Sequence, residues 1–127
     1  MQFIPLKVFH GAPYVCLGYR FGNITYISDC SEIPDETRAL LKGTELLIID
    51  SLRPEKPHKS HLTMEQAIEE IRKIGPTKSL LTGLSHYHNH ERDNKLLATM
   101  TDIDVQLAYD GQRILIPLPI DNDVKSI

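Results

Sequence analysis

Leu46-Leu47-Ile48-Ile49 is a short, continuous apolar run that ends at Asp50. A run of this length without alternation reads as a strand covered on both faces. The text after it changes period. Residues 51–62 form a polar loop rich in Pro, Lys and His, and Thr63 with Gln66 then makes a capping-box pattern. Ala67, Ile68, Ile71 and Ile74 fall on one face of the helix this box would open, and Gly75-Pro76 closes it. Ser79 to Thr82 is the next strand.

The segments on either side complete the pattern. Residues 3–9 and 13–21 read as two strands parted around Gly11-Ala12-Pro13, and Tyr, Val and Leu suit a sheet there. Gly22-Asn23 signals a turn, Ile24 to Ser28 a third strand, and Asp29 its C-terminal end. Pro34 suits the first turn of a helix, Asp35 and Glu36 its positive end, and Gly43 its stop. Asn89 to Met100 reads as a helix with Leu96, Leu97 and Met100 facing inward. Val105 to Ile116 reads as a hairpin turning at Asp110-Gly111. Three strands, then strand–helix alternation, then a hairpin predict an α/β layer fold with a mixed sheet and helices on one face. Residues 1–119 form one domain in this reading, and the polar stretch 120–127 a frayed tail.

Composition removes several function classes. With 127 residues, 41% hydrophobic and 24% charged, the chain is of ordinary globular type. Its net charge of −3, without a Lys/Arg block, argues against a dedicated nucleic-acid surface. No apolar run approaches a membrane span, and Met1-Gln2-Phe3-Ile4-Pro5 lacks a secretion pattern, so the expected setting is the cytoplasm. Cys16 and Cys30 are not spaced as a metal pair and read as reduced, packed thiols.

The chemistry-bearing residues stand at strand ends. His10, Asp29 and His86 offer imidazole nitrogen and carboxylate oxygen, donors that suit zinc, manganese or iron. The plain alternative is a hydrogen-bonded histidine after each strand and an aspartate that caps the next helix. His58 and His61 flank Lys59-Ser60 just ahead of a helix, where a histidine protonates a leaving group or contacts a phosphate, or is simply a solvated loop residue. Asp50 and Arg53 either orient such neighbours or form a local loop pair. His86, His88 and His90 alternate, so they point different ways. His86 alone is taken as a ligand, with His88 and His90 exposed and Asn89 as helix cap.

Several segments, in order, resemble the C-terminal half of the metallo-β-lactamase superfamily, in the branch of the carbon–phosphorus lyase accessory phosphodiesterase. They are Phe9-His10-Gly11, Leu17-Gly18-Tyr19-Arg20-Phe21-Gly22, Tyr26-Ile27-Ser28-Asp29, Ile48-Ile49-Asp50-Ser51-Leu52-Arg53, His58-Lys59-Ser60-His61-Leu62-Thr63, Leu84-Ser85-His86 and Gln106-Leu107-Ala108-Tyr109-Asp110-Gly111. The resemblance implies one half of an αββα sandwich. It implies that His10 is a metal ligand, that Asp29 bridges two metals, and that His61 lies by the substrate phosphate as general acid.

Two departures accompany the likeness. Many relatives carry a metal-binding histidine where this chain has Gly83, and the His-x-His-x-Asp-His run of the superfamily's other half is absent. The expectation is therefore a hydrolase lineage of phosphodiesterase class holding part of a zinc or manganese site, weak or inactive by itself. A small phosphodiester would be its substrate. The competing expectation is a non-catalytic interaction module. In both, the sheet face normally packed on the other half is bare and calls for self-association or a partner.

Overall fold

In a computed structural model, which describes residues 2–116, the chain forms one six-stranded sheet with its helices on one side. The strands are β1 (Phe3–Phe9), β2 (Val15–Phe21), β3 (Ile24–Ile27), β4 (Leu46–Asp50), β5 (Lys78–Thr82) and β6 (Val105–Leu107). The helices are α1 (Asp35–Arg38), continued by a 3-10 turn at Ala39–Leu41, α2 (Met64–Ile74) and α3 (His90–Ala98). The strands lie in chain order, antiparallel from β1 to β3 and parallel from β3 to β6. The mixed α/β sheet expected from the sequence is the sheet found.

Register decides which side becomes core. Through the pairings Arg20↔Thr25, Ile27↔Ile49 and Leu81↔Leu107, one face carries Leu6, Val8, Ile27, Leu47, Ile49, Leu81 and Leu107, all buried. Ala67, Ile68 and Ile71 of α2, Leu97 of α3 and Leu41 pack on that face. Burying each large aliphatic side chain here contributes about 1.5–3 kcal/mol. The opposite face carries Phe3, Val15, Leu17, Tyr19 and Tyr26, each at least 41% exposed. Side chains alternate along a strand, so the same sequence that fills the core necessarily presents this second apolar row.

Local signals explain most element ends. Thr63 Oγ1 accepts from the Gln66 N–H, and Gln66 Oε1 accepts from the Thr63 N–H, so the capping box of α2 is complete. Gly75 ends α2 in the left-handed conformation at φ 72°, where a Cβ would be strained. Asn89 caps α3 by accepting from the Arg92 N–H.

Three expectations change. Pro34 stands just outside α1 as its N-cap residue, extended at ψ 151° rather than in the first turn. Leu96 is 49% exposed, because Asp93 and Leu97, one turn apart, take the inward face of α3. The hairpin over 105–116 is not formed among the described residues. The chain does turn at Asp110-Gly111, with the Gln112 N–H donating to Tyr109 O, but the run beyond it pairs with no strand and Leu115 is 97% exposed. β6 instead runs parallel to β5. The tail assigned to 120–127 lies outside the described residues.

Candidate functional site

Asp50 is the last residue of β4 and is fully buried. The chain then makes an excursion and returns: Leu52 N–H donates to Leu62 O, and Met64 N–H to Arg53 O. This closure brings His61 back beside Asp50. The His61 Nδ1 lies 2.9 Å from Asp50 Oδ2, which also accepts the backbone N–H groups of Leu62 at 3.2 Å and Cys30 at 3.4 Å. Burial raises the Asp50 pKa above the ordinary carboxylate range, and these hydrogen bonds, led by that from His61, offset part of the rise. The other carboxylate oxygen, Oδ1, is buried without a protein partner.

Gly83 explains the space at Oδ1. It follows β5, has φ +70°, and a Cβ built on it would stand 2.8 Å from Asp50 Oδ1. The sequence departure at residue 83 is thus coupled to the buried carboxylate.

His10 follows β1. Its Nδ1 lies 2.7 Å from the Ser60 carbonyl oxygen, and its ring meets that of His61 edge-on with centroids 4.8 Å apart. The His58 ring is 5.3 Å from His61 on its own side. The loop carrying Asp29 runs alongside the His10 segment: Ser31 N–H donates to Phe9 O at 2.7 Å, and Gly11 N–H to Ser31 Oγ at 2.9 Å. Asp29 itself is exposed and accepts from Ser28 Oγ. The structure therefore gathers His10, His58, His61 and Asp50, with the Asp29 loop beside them.

Other expected residues stand apart. His86 is exposed, and its ring lies against Tyr87 with centroids 4.2 Å apart. Arg53 turns onto its own loop, donating to Lys56 O and Pro57 O, so its local bonds are to carbonyl groups rather than a carboxylate. His88, expected at the surface, has a side chain only 1% exposed. Its Nδ1 lies 2.9 Å from Asp93 Oδ2, and its Nε2 lies 3.0 Å from Ser51 O and 3.1 Å from Ser51 Oγ. The correction has a physical reason. Asp93 is turned inward on α3, and a buried carboxylate requires donors. Burial alone would raise its pKa, but bonds from Arg92, the Asn89 N–H and His88 outweigh this and hold it at about 2. Ser51 is fully buried, so this serine–histidine–aspartate chain ties the loop after β5 to the end of β4 rather than presenting a nucleophile. Asp93, five residues after His88, was its only sequence signal.

Cys30 is buried and Cys16 half-buried, both free thiols. Burial, followed by the nearby Asp50 charge, pushes the Cys30 thiol far up, so it is inert at neutral pH. Among the described residues, no helix is long and apolar enough to cross a membrane.

The donor set tests the implied metal. His10 suits a ligand, because a carbonyl beside Nδ1 leaves Nε2 with its lone pair. Yet among the described residues no three His, Cys, Asp or Glu side chains are placed to hold a metal ion. These residues alone do not fit a metal centre.

The comparisons with known proteins point one way on fold. A diphosphatase of the PhnP family superposes with a TM-score of 0.83 and 34% identity, covering 94% of this chain and 45% of that one. The metallo-β-lactamase fold protein YhfI from Bacillus subtilis gives 0.71 at 23% identity, over 87% of this chain and 46% of that one. The short form of human tRNase Z gives 0.63 at 19% identity, over 93% of this chain and 43% of that one; these last two show the fold alone. An octanoyltransferase of Porphyromonas gingivalis (strain ATCC BAA-308 / W83) is 36% identical over 113 residues, 88% of this chain and 22% of that protein. The chain thus spans under half of these similar structures and about a fifth of that curated relative. Residues 1–84 match the model of the beta-lactamase superfamily domain, and with the sheet and its helices in the same arrangement, the chain belongs to that family.

Proposed function

We propose that the chain supplies the leaving-group side of a phosphohydrolase site, with His61 as general acid. The observation that carries this is the Asp50–His61 pair. The carboxylate at Nδ1 fixes a partly exposed ring and leaves Nε2 free to carry a proton. A diphosphatase is among the similar structures, and a diphosphate and a phosphodiester share the chemistry at issue: a phosphorus–oxygen bond breaks and the departing oxygen takes a proton. His61 gives that proton, and Asp50 steadies the imidazolium from which it leaves.

His10 and Asp29 are proposed as metal ligands and His86 as a third, in a site completed by donors outside the described residues. Zinc or manganese bound there would supply Lewis acidity. Those donors would come with whatever covers the bare face of Val15, Leu17, Tyr19 and Tyr26, either further chain or a partner. A cytoplasmic setting, with Cys16 and Cys30 as thiols, accords with this reading.

The second reading is a non-catalytic module that pairs through the same face. The absence of a three-donor cluster among the described residues favours it. The experiment is hydrolysis of bis(p-nitrophenyl) phosphate and of a nucleoside diphosphate by the protein in its longest natural form, supplied with manganese or zinc. Turnover that falls about 10²-fold or more in His61→Ala, with metal content unchanged, supports the acid role. Equal loss of metal makes His61 a ligand. No turnover by the metal-supplied protein favours the interaction module.

A further inference from the structure

We propose that His58 is a neutral N–H donor for a phosphoryl oxygen, forming an anion subsite beside His61 that charge pairing alone would not create. The proposal deepens the phosphohydrolase reading and rests on it for the identity of the anion.

The geometry differentiates three histidines by what each Nδ1 touches. His10 Nδ1 faces the Ser60 carbonyl at 2.7 Å, and a carbonyl only accepts, so the hydrogen is on Nδ1 and Nε2 is bare. His61 Nδ1 faces Asp50 Oδ2, which already accepts from two backbone N–H groups, so here too Nδ1 donates. His58 is the reverse. Its Nδ1 lies 3.0 Å from the Ser60 nitrogen, and a backbone N–H only donates. His58 Nδ1 must therefore be bare, and the neutral ring carries its hydrogen on Nε2. Ser60 thus sets two opposite tautomers, through its carbonyl to His10 and its N–H to His58.

Function follows from the tautomer. A ring with Nε2–H can neither ligate a metal nor accept a proton through that nitrogen; it can only donate. Adding a second proton at Nδ1 would displace the Ser60 N–H. Desolvation, then the charges of His61, Arg53, Lys59 and His10, push the ring further toward its neutral form. Among the described residues Nε2 has no hydrogen-bond partner, and the ring is half-buried, 5.3 Å from His61. A donor held there, among cations, fits a non-bridging oxygen of the phosphoryl group whose leaving oxygen His61 protonates.

Long-range proton–nitrogen NMR of the imidazoles, in the longest natural form of the protein, reads the tautomers directly, and inorganic phosphate is the probe for the subsite. The expected result is Nε2–H on His58 and Nδ1–H on His10 and His61, with phosphate shifting the His58 Nε2 signal. His58→Phe should weaken phosphate about tenfold, the scale of one hydrogen bond to a charged group. His58→Gln, which keeps an N–H near the ε position, should stay within about threefold of wild type. A hydrogen on His58 Nδ1, no phosphate binding, unchanged affinity in His58→Phe, or a tenfold loss in His58→Gln each overturns the proposal. Phosphate held through His58 by a protein that hydrolyses neither substrate would sink the catalytic reading and leave this subsite standing.

Discussion

A Cβ on residue 83 would stand 2.8 Å from Oδ1 of Asp50, so the glycine and the buried carboxylate fit only each other. A side chain at residue 83 would press on Asp50 and so disturb His61, which that carboxylate holds at 2.9 Å. Gly83→Ala should destabilise by roughly 2–4 kcal/mol, combining the left-handed backbone with overpacking. Urea unfolding measures it. In an Asp50→Ala background the cost should shrink toward the backbone contribution alone. An equal cost in both backgrounds would remove Asp50 from the explanation.

The two buried aspartates should respond to pH with opposite sign. Asp93 is held at about 2, below the ordinary carboxylate range, so its bonds stabilise the fold at pH values above that range. That contribution, of order 2 kcal/mol, is lost as pH falls toward 2. The stability gap between wild type and Asp93→Asn should therefore close over that interval. Asp50 is raised, so its contribution is most favourable when protonated and declines as pH climbs through its folded pKa. Denaturant midpoints across the acid range, for Asp93→Asn and Asp50→Asn, check both signs.

The apolar row on the open side of the sheet predicts association. Val15, Leu17, Tyr19 and Tyr26 are contiguous across β2 and β3 by register, and large exposed apolar patches mark contact surfaces. Light scattering on the untagged chain should give a mass above 14.4 kDa. Leu17→Lys with Tyr26→Lys should return it to the monomer. A wild-type chain that is monomeric at high micromolar concentration contradicts the expectation.

Metal retention by the chain alone should be poor. With no three-donor cluster among the described residues, elemental analysis after brief chelation should find a substoichiometric amount of zinc or manganese. Supplying the covering partner or further chain should raise it. A chelation-resistant ion in every isolated chain would show that His10, Asp29 and His86 close a site by themselves.

How much of this was legible in the sequence depended on distance along the chain. The α2 box was readable because Thr63 and Gln66 are three residues apart and bond to each other's backbone. The strand at Leu46–Asp50 was readable because burial on both sides leaves an unbroken apolar run. His61 and Asp50 were each named as candidates, but their bond, across 11 residues, depends on a loop closure by Leu52 and Leu62 that no local pattern encodes. His88 was misread for a related reason. Its burial follows from Asp93 facing the sheet, and the helix phase that turns Asp93 inward turns Leu96 out. The hairpin failed because Asp110-Gly111 specifies a turn, not the partner that a return strand would need.

The strand order carries a last consequence, for how the molecule comes into being. Each strand lies next to the one made just before it, from β1 through β6. No strand must wait for a distant, later segment to slot in beside it, so loop-closure entropy is met in small instalments and the sheet can grow from one edge as chain becomes available. Nascent intermediates would then differ from the finished sheet in width rather than in pairing, each with one temporary growing edge.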